Sequence, residues 1–568
     1  MPPLLNVIGA AIAVVSLFCT PLALVRAAFP SLSAASTAAG AGALSIALST
    51  AVPVLLHIAS IPLRPVALSV CHAALLTMAA AALRLRGIRL IPDDISSLRW
   101  PALLCFAGAL LAAPVTPLAG VDTYKWQDLA TVVQVEGRIP WLLHLGGLFG
   151  FAPRGYPCAQ PLTLASVQMM GNLGVETGYF VVSLLSLSTA VFGAYRLGLA
   201  LAASDRFAVW LAALYAFAPV AMRYHHWATG RGFFLAVLPL FILGHVGRPR
   251  PHLLLAAGSA TLLLLAHKTA VVAVPLLAAG MLFAPALSRS WRVPLALASA
   301  VVAVIVAGGS FAPSVAGIVS ALRLAATRLG VLAPLVALAV FLPDSREDSS
   351  GPMSQRRKML TLLLVLLPIA FTPDMYGALF LLPLAAVAAV HGMSSSSLSL
   401  TKSTRLLHPA VAALLALGAV AIVVNRNMDA TPRRIREAAV FLDRYDPTGP
   451  FRIVAPDRIQ GRMQAYVRGC PRFSVFTVPG STADRARHAI PLDSPRAFVS
   501  RFTAYLRKFL DPADLATDWY GGAGTVYHVL VDGKGSAPPG AALVYDKDAV
   551  RILRTGGTPD TKSIREPH

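Results

Sequence analysis

The feature that most constrains this chain is a succession of long apolar runs whose interiors carry almost no charge. They are centred near Val14, Ala47, Leu75, Ala109, Leu185, Ala213, Leu238, Leu262, Leu276, Ala303, Ala337, Leu364, Ala385 and Leu415. A helix needs about 20 apolar residues to cross a hydrocarbon core. Runs of this length separated by short polar stretches are therefore expected as membrane helices. Composition agrees: 56% of the residues are hydrophobic and 13% charged, where a soluble domain carries about a quarter charged. Mean hydropathy is +0.67. The expected fold is mainly α, a polytopic transmembrane bundle of about 11–14 helices with a small C-terminal extracytoplasmic α/β domain.

The formal net charge of +22 does not point to nucleic acid, because of where the excess lies. Arg84, Arg86, Arg89 and Arg99 fall in one short loop, and Asp205-Arg206, Arg248 with Arg250, and Arg289 with Arg292 in others. Arg346, Arg356, Arg357 and Lys358, then Lys402 and Arg405, continue the series. Short basic loops are retained on the cytoplasmic side. The expected partners of these charges are anionic membrane lipids rather than nucleic acid. Met1 to Asn6 holds no Lys or Arg and the first apolar run extends past Leu24, which reads as a retained helix rather than a cleaved signal.

Three regions follow from this pattern. Residues 1–95 form N-terminal membrane helices, and 96–424 a membrane core with an outward loop at 119–161. Residues 425–568 form an extracytoplasmic α/β domain, since they lack any apolar run of membrane length. Within that tail, Thr431 to Tyr445 reads as an amphipathic helix with Thr431 as N-cap before Pro432. Phe451 to Ala455, Phe473 to Val478, Thr525 to Val531, Ala542 to Tyr545 and Val550 to Leu553 read as strands. Ser494 to Leu510 reads as a helix, and Asp546-Lys547-Asp548 as a turn. The serine run Ser394 to Ser397 reads as a cytoplasmic loop. Cys158 and Cys470, outside the apolar runs, fall on the outward side, where a disulfide is permitted. No Cys-x-x-Cys or His/Cys cluster is present, so a zinc site is not indicated.

The outward loop carries the chemistry-bearing residues. Asp122 follows the apolar run from Trp100 to Leu118, with Tyr124, Trp126 and Asp128 close behind. Gly137-Arg138-Ile139-Pro140-Trp141 and Tyr156-Pro157 complete the loop. This sequence of features resembles the GT-C superfamily of membrane glycosyltransferases: an acidic residue just after a membrane helix, a Gly-x-x-Pro segment, and a Tyr-Pro before the next helix. A many-helix bundle with a small outer α/β domain is similar too, and the likeness covers most of the chain from Trp100 onward.

The resemblance implies transfer of a sugar from a polyprenyl-phosphate-linked donor to an acceptor on the extracytoplasmic face. The acceptor would be a glycan, a lipid or a protein. Asp122 is then the catalytic base that takes the proton of the acceptor hydroxyl. Many family members carry two adjacent acidic residues here, whereas this chain has Asp122 and Asp128 six apart. That departure leaves the second carboxylate, and any divalent cation bridging the pair, open. If they merely cap or solvate the following helix, neither is catalytic.

Basic residues on the outward side run against the topological trend: Arg223, His225, His226 and Arg231, then His267 and Lys268, then Arg323 and Arg328. Arg231 and Lys268 are the candidates for holding a donor phosphate, with Arg223 contributing less; headgroup contact is the bland alternative. The adjacent His225 and His226 project in different directions, which argues against a metal site. Asp374, in Thr372-Pro373-Asp374-Met375-Tyr376, is positioned to orient an acceptor or to start a helix. The competing functional classes are a secondary transporter, a non-catalytic membrane protein with an appended outer domain, and a polysaccharide polymerase or ligase-like enzyme. Coupled transporters place ionisable residues inside their spans, and these apolar runs are almost free of them.

Overall fold

The computed structural model describes residues 9, 11–112, 121–137, 139, 141–144, 147–151, 158–202, 204–246, 253–267, 269–283, 328–341, 376–399, 404–428, 431–446, 451–456, 465–467, 489–491, 525–534 and 538–556, with a few isolated positions between them. Helices α1 (Ala11–Ala28), α2 (Ala34–Ile58) and α3 (Pro65–Leu85) come first, followed by α4 (Arg99–Ala112) and α5 (Val121–Glu136). Strands β1 (Trp141–His144) and β2 (Gly147–Phe151) precede α6 (Ala159–Gly171) and α7 (Val175–Ala202). Then come α8 (Asp205–Ala216), α9 (Pro219–His226), α10 (Gly230–Leu243), α11 (Leu253–Ala266) and α12 (Ala270–Phe283). Helices α13 (Leu332–Phe341), α14 (Tyr376–Ser399) and α15 (Thr404–Met428) complete the helical part. The tail adds α16 (Arg433–Tyr445), β3 (Phe451–Val454), β4 (Ala489–Pro491), β5 (Thr525–Val531), β6 (Ala542–Lys547) and β7 (Val550–Thr555).

Five of the described helices are long and apolar enough to cross a membrane: α1, α2, α3, α7 and the Leu407–Asn425 part of α15. The α8–α9 pair would make a sixth, bent by 64°. The expected 11–14 spans are therefore not all present as continuous helices among the described residues. The apolar runs near Leu238 and Leu262 instead form short helices, α10 and α11. Nearly every side chain of α10 is buried, as expected of a helix that is apolar all round and sits in a core. The run near Ala303 lies outside the described residues. The bend between α8 and α9 has a local cause. Ala218, held extended at ψ 141°, precedes Pro219 at the first helical position, and a residue before proline is pushed out of the α region.

Helix α7 sets the dimensions. Its rise of about 1.5 Å per residue separates Glu176 from Arg196 by about 30 Å, close to the thickness of a hydrocarbon core. At the Arg196 end the basic loops are tied together. Arg26 donates to the carbonyls of Pro30 at 2.7 Å and Arg89 at 3.2 Å, and Arg86 donates to Ala27 O at 2.8 Å. The Asp94 carboxylate accepts from the Ala34 amide at 2.9 Å. Arg206 meets the His408 ring at 3.0 Å, which brings the start of α15 to this same end.

At the Glu176 end lie α5, the β1–β2 hairpin and the tail. The Leu63 amide donates to Gly137 O at 2.7 Å, which docks the α2–α3 connection on the end of α5. In the tail, β3 runs parallel to β5 while β7 and β6 follow antiparallel, in the order β3-β5-β7-β6. Helix α16 covers this sheet with Ile435, Ala438, Ala439 and Leu442, packed with Phe451, Ile453, Tyr527, Val529, Val550 and Ile552. Their spacing of three and four places them on one stripe.

Three details of the tail depart from expectation. Pro432, not Thr431, caps α16, and no side chain caps its amides; the Thr431 hydroxyl instead donates to Tyr124. Strand β6 continues through Lys547, paired with Val550, so the turn moves to Asp548-Ala549. Phe473 to Val478 and Ser494 to Leu510 lie outside the described residues. Lastly, the tail is not self-contained: β4 pairs antiparallel with β1, with Leu143 opposite Ile490, so a strand of 425–568 joins a hairpin of the 119–161 loop.

Candidate functional site

Helix α5 places the proposed catalytic residues. Asp122 is its second residue, and Asp128 follows six positions later. Helical neighbours are three or four apart, so the two do not share a stripe and no paired carboxylate is formed along this helix. The reach of both carboxylates lies outside the described residues, as does Tyr156.

The flanks of Asp122 are fixed by three elements. The Tyr179 hydroxyl, from α7, donates to Thr123 O at 2.7 Å. Tyr124 is buried and accepts from the Thr431 hydroxyl at 3.3 Å, while the Arg462 guanidinium stands 5.8 Å from its ring centroid. Trp126 is buried against Gly230, where an added Cβ would lie 2.9 Å from the indole and 2.5 Å from Ala266 O. Only glycine admits this approach. Asp122 precedes Trp126 by four residues along α5, and Trp126 meets the start of α10 where it passes the end of α11. Further along α5, Gln127 donates to Thr131 at 2.9 Å and accepts from Gln168 at 3.0 Å, which locks the helix to α6.

The basic residues expected near a phosphate divide into two groups. Arg223 is exposed, with its guanidinium 4.3 Å from the Trp227 ring centroid. Arg231 lies 5.1 Å from the Tyr224 ring centroid. Arg328, foremost through burial, is pushed below the usual arginine range, Tyr224 opposing this and the like charge of Arg223 adding to it. Arg231 thus lies over Tyr224 with Arg328 in electrostatic reach of the same residue, while Arg223 lies over Trp227, whose ring centroid is 6.0 Å from that of Tyr224. The position of Arg328 in this group had no signature beyond its charge, since it comes from a distant segment. Arg323, Lys268 and Asp374 lie outside the described residues.

The histidines belong to the other group. His225 and His226 are on α9, not in a loop, and each is 1% exposed. The His225 Nδ1 and the Ser186 hydroxyl are 2.7 Å apart, and the Ser183 hydroxyl donates to His226 O at 3.3 Å. The bend at Pro219 turns α9 into the bundle and takes both rings away from an outward surface. His267 Nδ1 meets the Thr269 hydroxyl at 2.8 Å. No group of three His, Cys, Asp or Glu that could hold a metal occurs among the described residues.

Glu176 and Arg436 are functional-site neighbours that the sequence pattern did not bring together. Arg436 donates to the Glu176 carboxylate at 2.8 Å, across 260 positions, and the Tyr466 hydroxyl donates to the same oxygen at 3.1 Å. The guanidinium is held above the usual arginine range by this hydrogen bond. Cys158 is a buried free thiol, pushed up to about 12 by burial; Cys470, the other cysteine of the disulfide expected to be permitted, lies outside the described residues. Compared with known protein families and with curated proteins, the chain matches no family model and no curated sequence.

Proposed function

We propose that this chain is a polytopic membrane glycosyltransferase of GT-C type. It would use a polyprenyl-phosphate-linked sugar and work at the extracytoplasmic face of the cell membrane, with the tail domain on that side. The observation that carries the reading is the setting of Asp122. Its helix is clamped between the first turns of α7, the start of the tail and the entry to α10, whose second residue, Arg231, lies over the Tyr224 ring.

In the proposed reaction, ionised Asp122 accepts the proton of the acceptor hydroxyl as its oxygen bonds to the anomeric carbon. The bond between that carbon and the phosphate oxygen breaks, and the lipid phosphate leaves with the electron pair. Arg223, Arg231 and Lys268 would balance the charge of the departing phosphate. Asp128 has no role assigned by helical geometry. A site held at the membrane surface, with the ionisable residues Glu176 and Arg196 near the ends of α7 rather than in its middle, supports surface chemistry over coupled transport. The purified chain in lipid nanodiscs, given a panel of polyprenyl-phosphate sugars and candidate acceptors, should release polyprenyl phosphate. Absence of turnover with every donor would remove the transferase reading.

A further inference from the structure

A cleft of about 700 Å³ opens where the first turn of α7 meets α16 and the β6–β7 hairpin. That volume is typical of a site for a small molecule or short oligomer. Aromatic rings form part of its wall: Phe441, Tyr466 and Tyr545, the first and last with centroids 4.9 Å apart. The rest is charged, and the charges are not evenly matched. Glu176 accepts from Arg436 at 2.8 Å, and Glu437 accepts from Lys547 at 2.9 Å and from Arg433 at 2.6 Å. Arg444, exposed on the cleft wall, forms no ion pair among the described residues. Cations outnumber carboxylates here, while both carboxylates keep further lone pairs for hydrogen bonding.

We propose that this cleft binds a short saccharide bearing an anionic group, a uronate or a phosphate. A sugar ring offers an apolar C–H face that packs on aromatic rings. Its hydroxyls need donors and acceptors in alternation, which paired guanidinium and carboxylate groups supply. The surplus cation, Arg444, selects for the anionic group. On the transferase reading this would be an acceptor subsite, about one helical turn from the Tyr179–Thr123 hydrogen bond that holds the Asp122 helix. The binding claim does not depend on transfer taking place.

The full chain in nanodiscs, without donor, is titrated by calorimetry with uronate- and phosphate-bearing tetrasaccharides and with neutral tetrasaccharides of the same length. An anionic member should bind at least about tenfold more tightly than its neutral counterpart, and weaken with salt. Arg444→Glu, an exposed substitution checked by unchanged thermal unfolding, should weaken that binding about tenfold or more. No binding by any member of the panel, or equal affinity in Arg444→Glu, overturns the proposal. Saccharide binding without transfer from any lipid-linked donor would keep this cleft and remove the transferase. Transfer with a wild-type acceptor KM in Arg444→Glu would do the reverse.

Discussion

The hydroxyl of Thr431 donates to the hydroxyl of Tyr124 at 3.3 Å, although the two residues are 307 positions apart. This bond fastens the residue just ahead of α16 in the tail to the helix that carries Asp122. A second fastening, Arg436 to Glu176, ties the tail to α7, and both partners of that pair are about three-quarters covered by protein. Tyr124→Phe should strip Thr431 of its acceptor at a cost of about 1 kcal/mol. Glu176→Gln should cost about 1 kcal/mol, as it is neither fully solvated nor fully buried. Both variants should speed amide hydrogen exchange in α16 while leaving α7 protected. Unchanged exchange in α16 would mean that the apolar contacts alone hold the tail in place.

Asp122→Asn keeps the shape of the side chain and removes its basicity. On the proposed mechanism kcat should fall by about two to four orders of magnitude, with the thermal midpoint unchanged. A rate within a few-fold of the parent would remove Asp122 as the base. Asp128→Asn, off the Asp122 stripe, should lower kcat far less.

The basic residues proposed to hold the donor phosphate test the donor half of the reaction. Arg231→Gln and Lys268→Gln should each weaken donor binding by about tenfold, with Arg223→Gln weaker in effect. The dependence of donor affinity on salt should become shallower in each. Donor affinity that stays constant in all three variants would assign these cations to lipid headgroups.

In the described part of the tail the helix and strands were legible from residue pattern, because they follow local rules. Thr525 to Val531 alternates and forms β5 over those same residues, and the amphipathic spacing of Ile435, Ala438 and Leu442 gives α16 its buried face. The membrane part was less legible. Apolar runs specify burial but not length of span, and at Pro219 one of them is broken into two helices bent by 64°. The histidines were misplaced for the same reason: a bend turns them inward. The pairing of β1 with β4 and of Glu176 with Arg436 joins segments hundreds of residues apart, and no local pattern encodes such a meeting. For Asp122 the sequence singled out the residue but set it in a loop, whereas it is the second residue of α5 and the clamp on that helix depends on Tyr179, Thr431 and Gly230 from three other elements.

The Asp548-Ala549 turn offers a test of the tail on its own terms. Both residues have positive φ, 52° and 61°, as a two-residue hairpin of the primed type requires. Aspartate tolerates this conformation, but alanine does so at a cost of about 1 kcal/mol. Ala549→Gly should relieve that strain, offset in part by the greater freedom of glycine in the unfolded chain. A net gain of about 0.5 kcal/mol is expected, read as a higher midpoint for the transition that melts β6 and β7. A lower midpoint would show that the alanine methyl group makes a contact worth more than the strain.

The two ends of α7 make a prediction about topology. The Arg196 end gathers Arg26, Arg86, Arg89 and Arg206 within hydrogen-bonded loops, whereas the Glu176 end carries the tail. Charge placed so asymmetrically in short loops is retained on the cytoplasmic side during insertion. The tail, about 30 Å away along α7, then faces the opposite compartment. A reporter active only in the cytoplasm should be silent when fused after Pro450 and active when inserted in the loop between Arg86 and Asp93. Activity at both positions, or the reverse pattern, would place the Asp122 helix on the cytoplasmic side. An enzyme drawing on an outward-facing lipid-linked donor could not work from there.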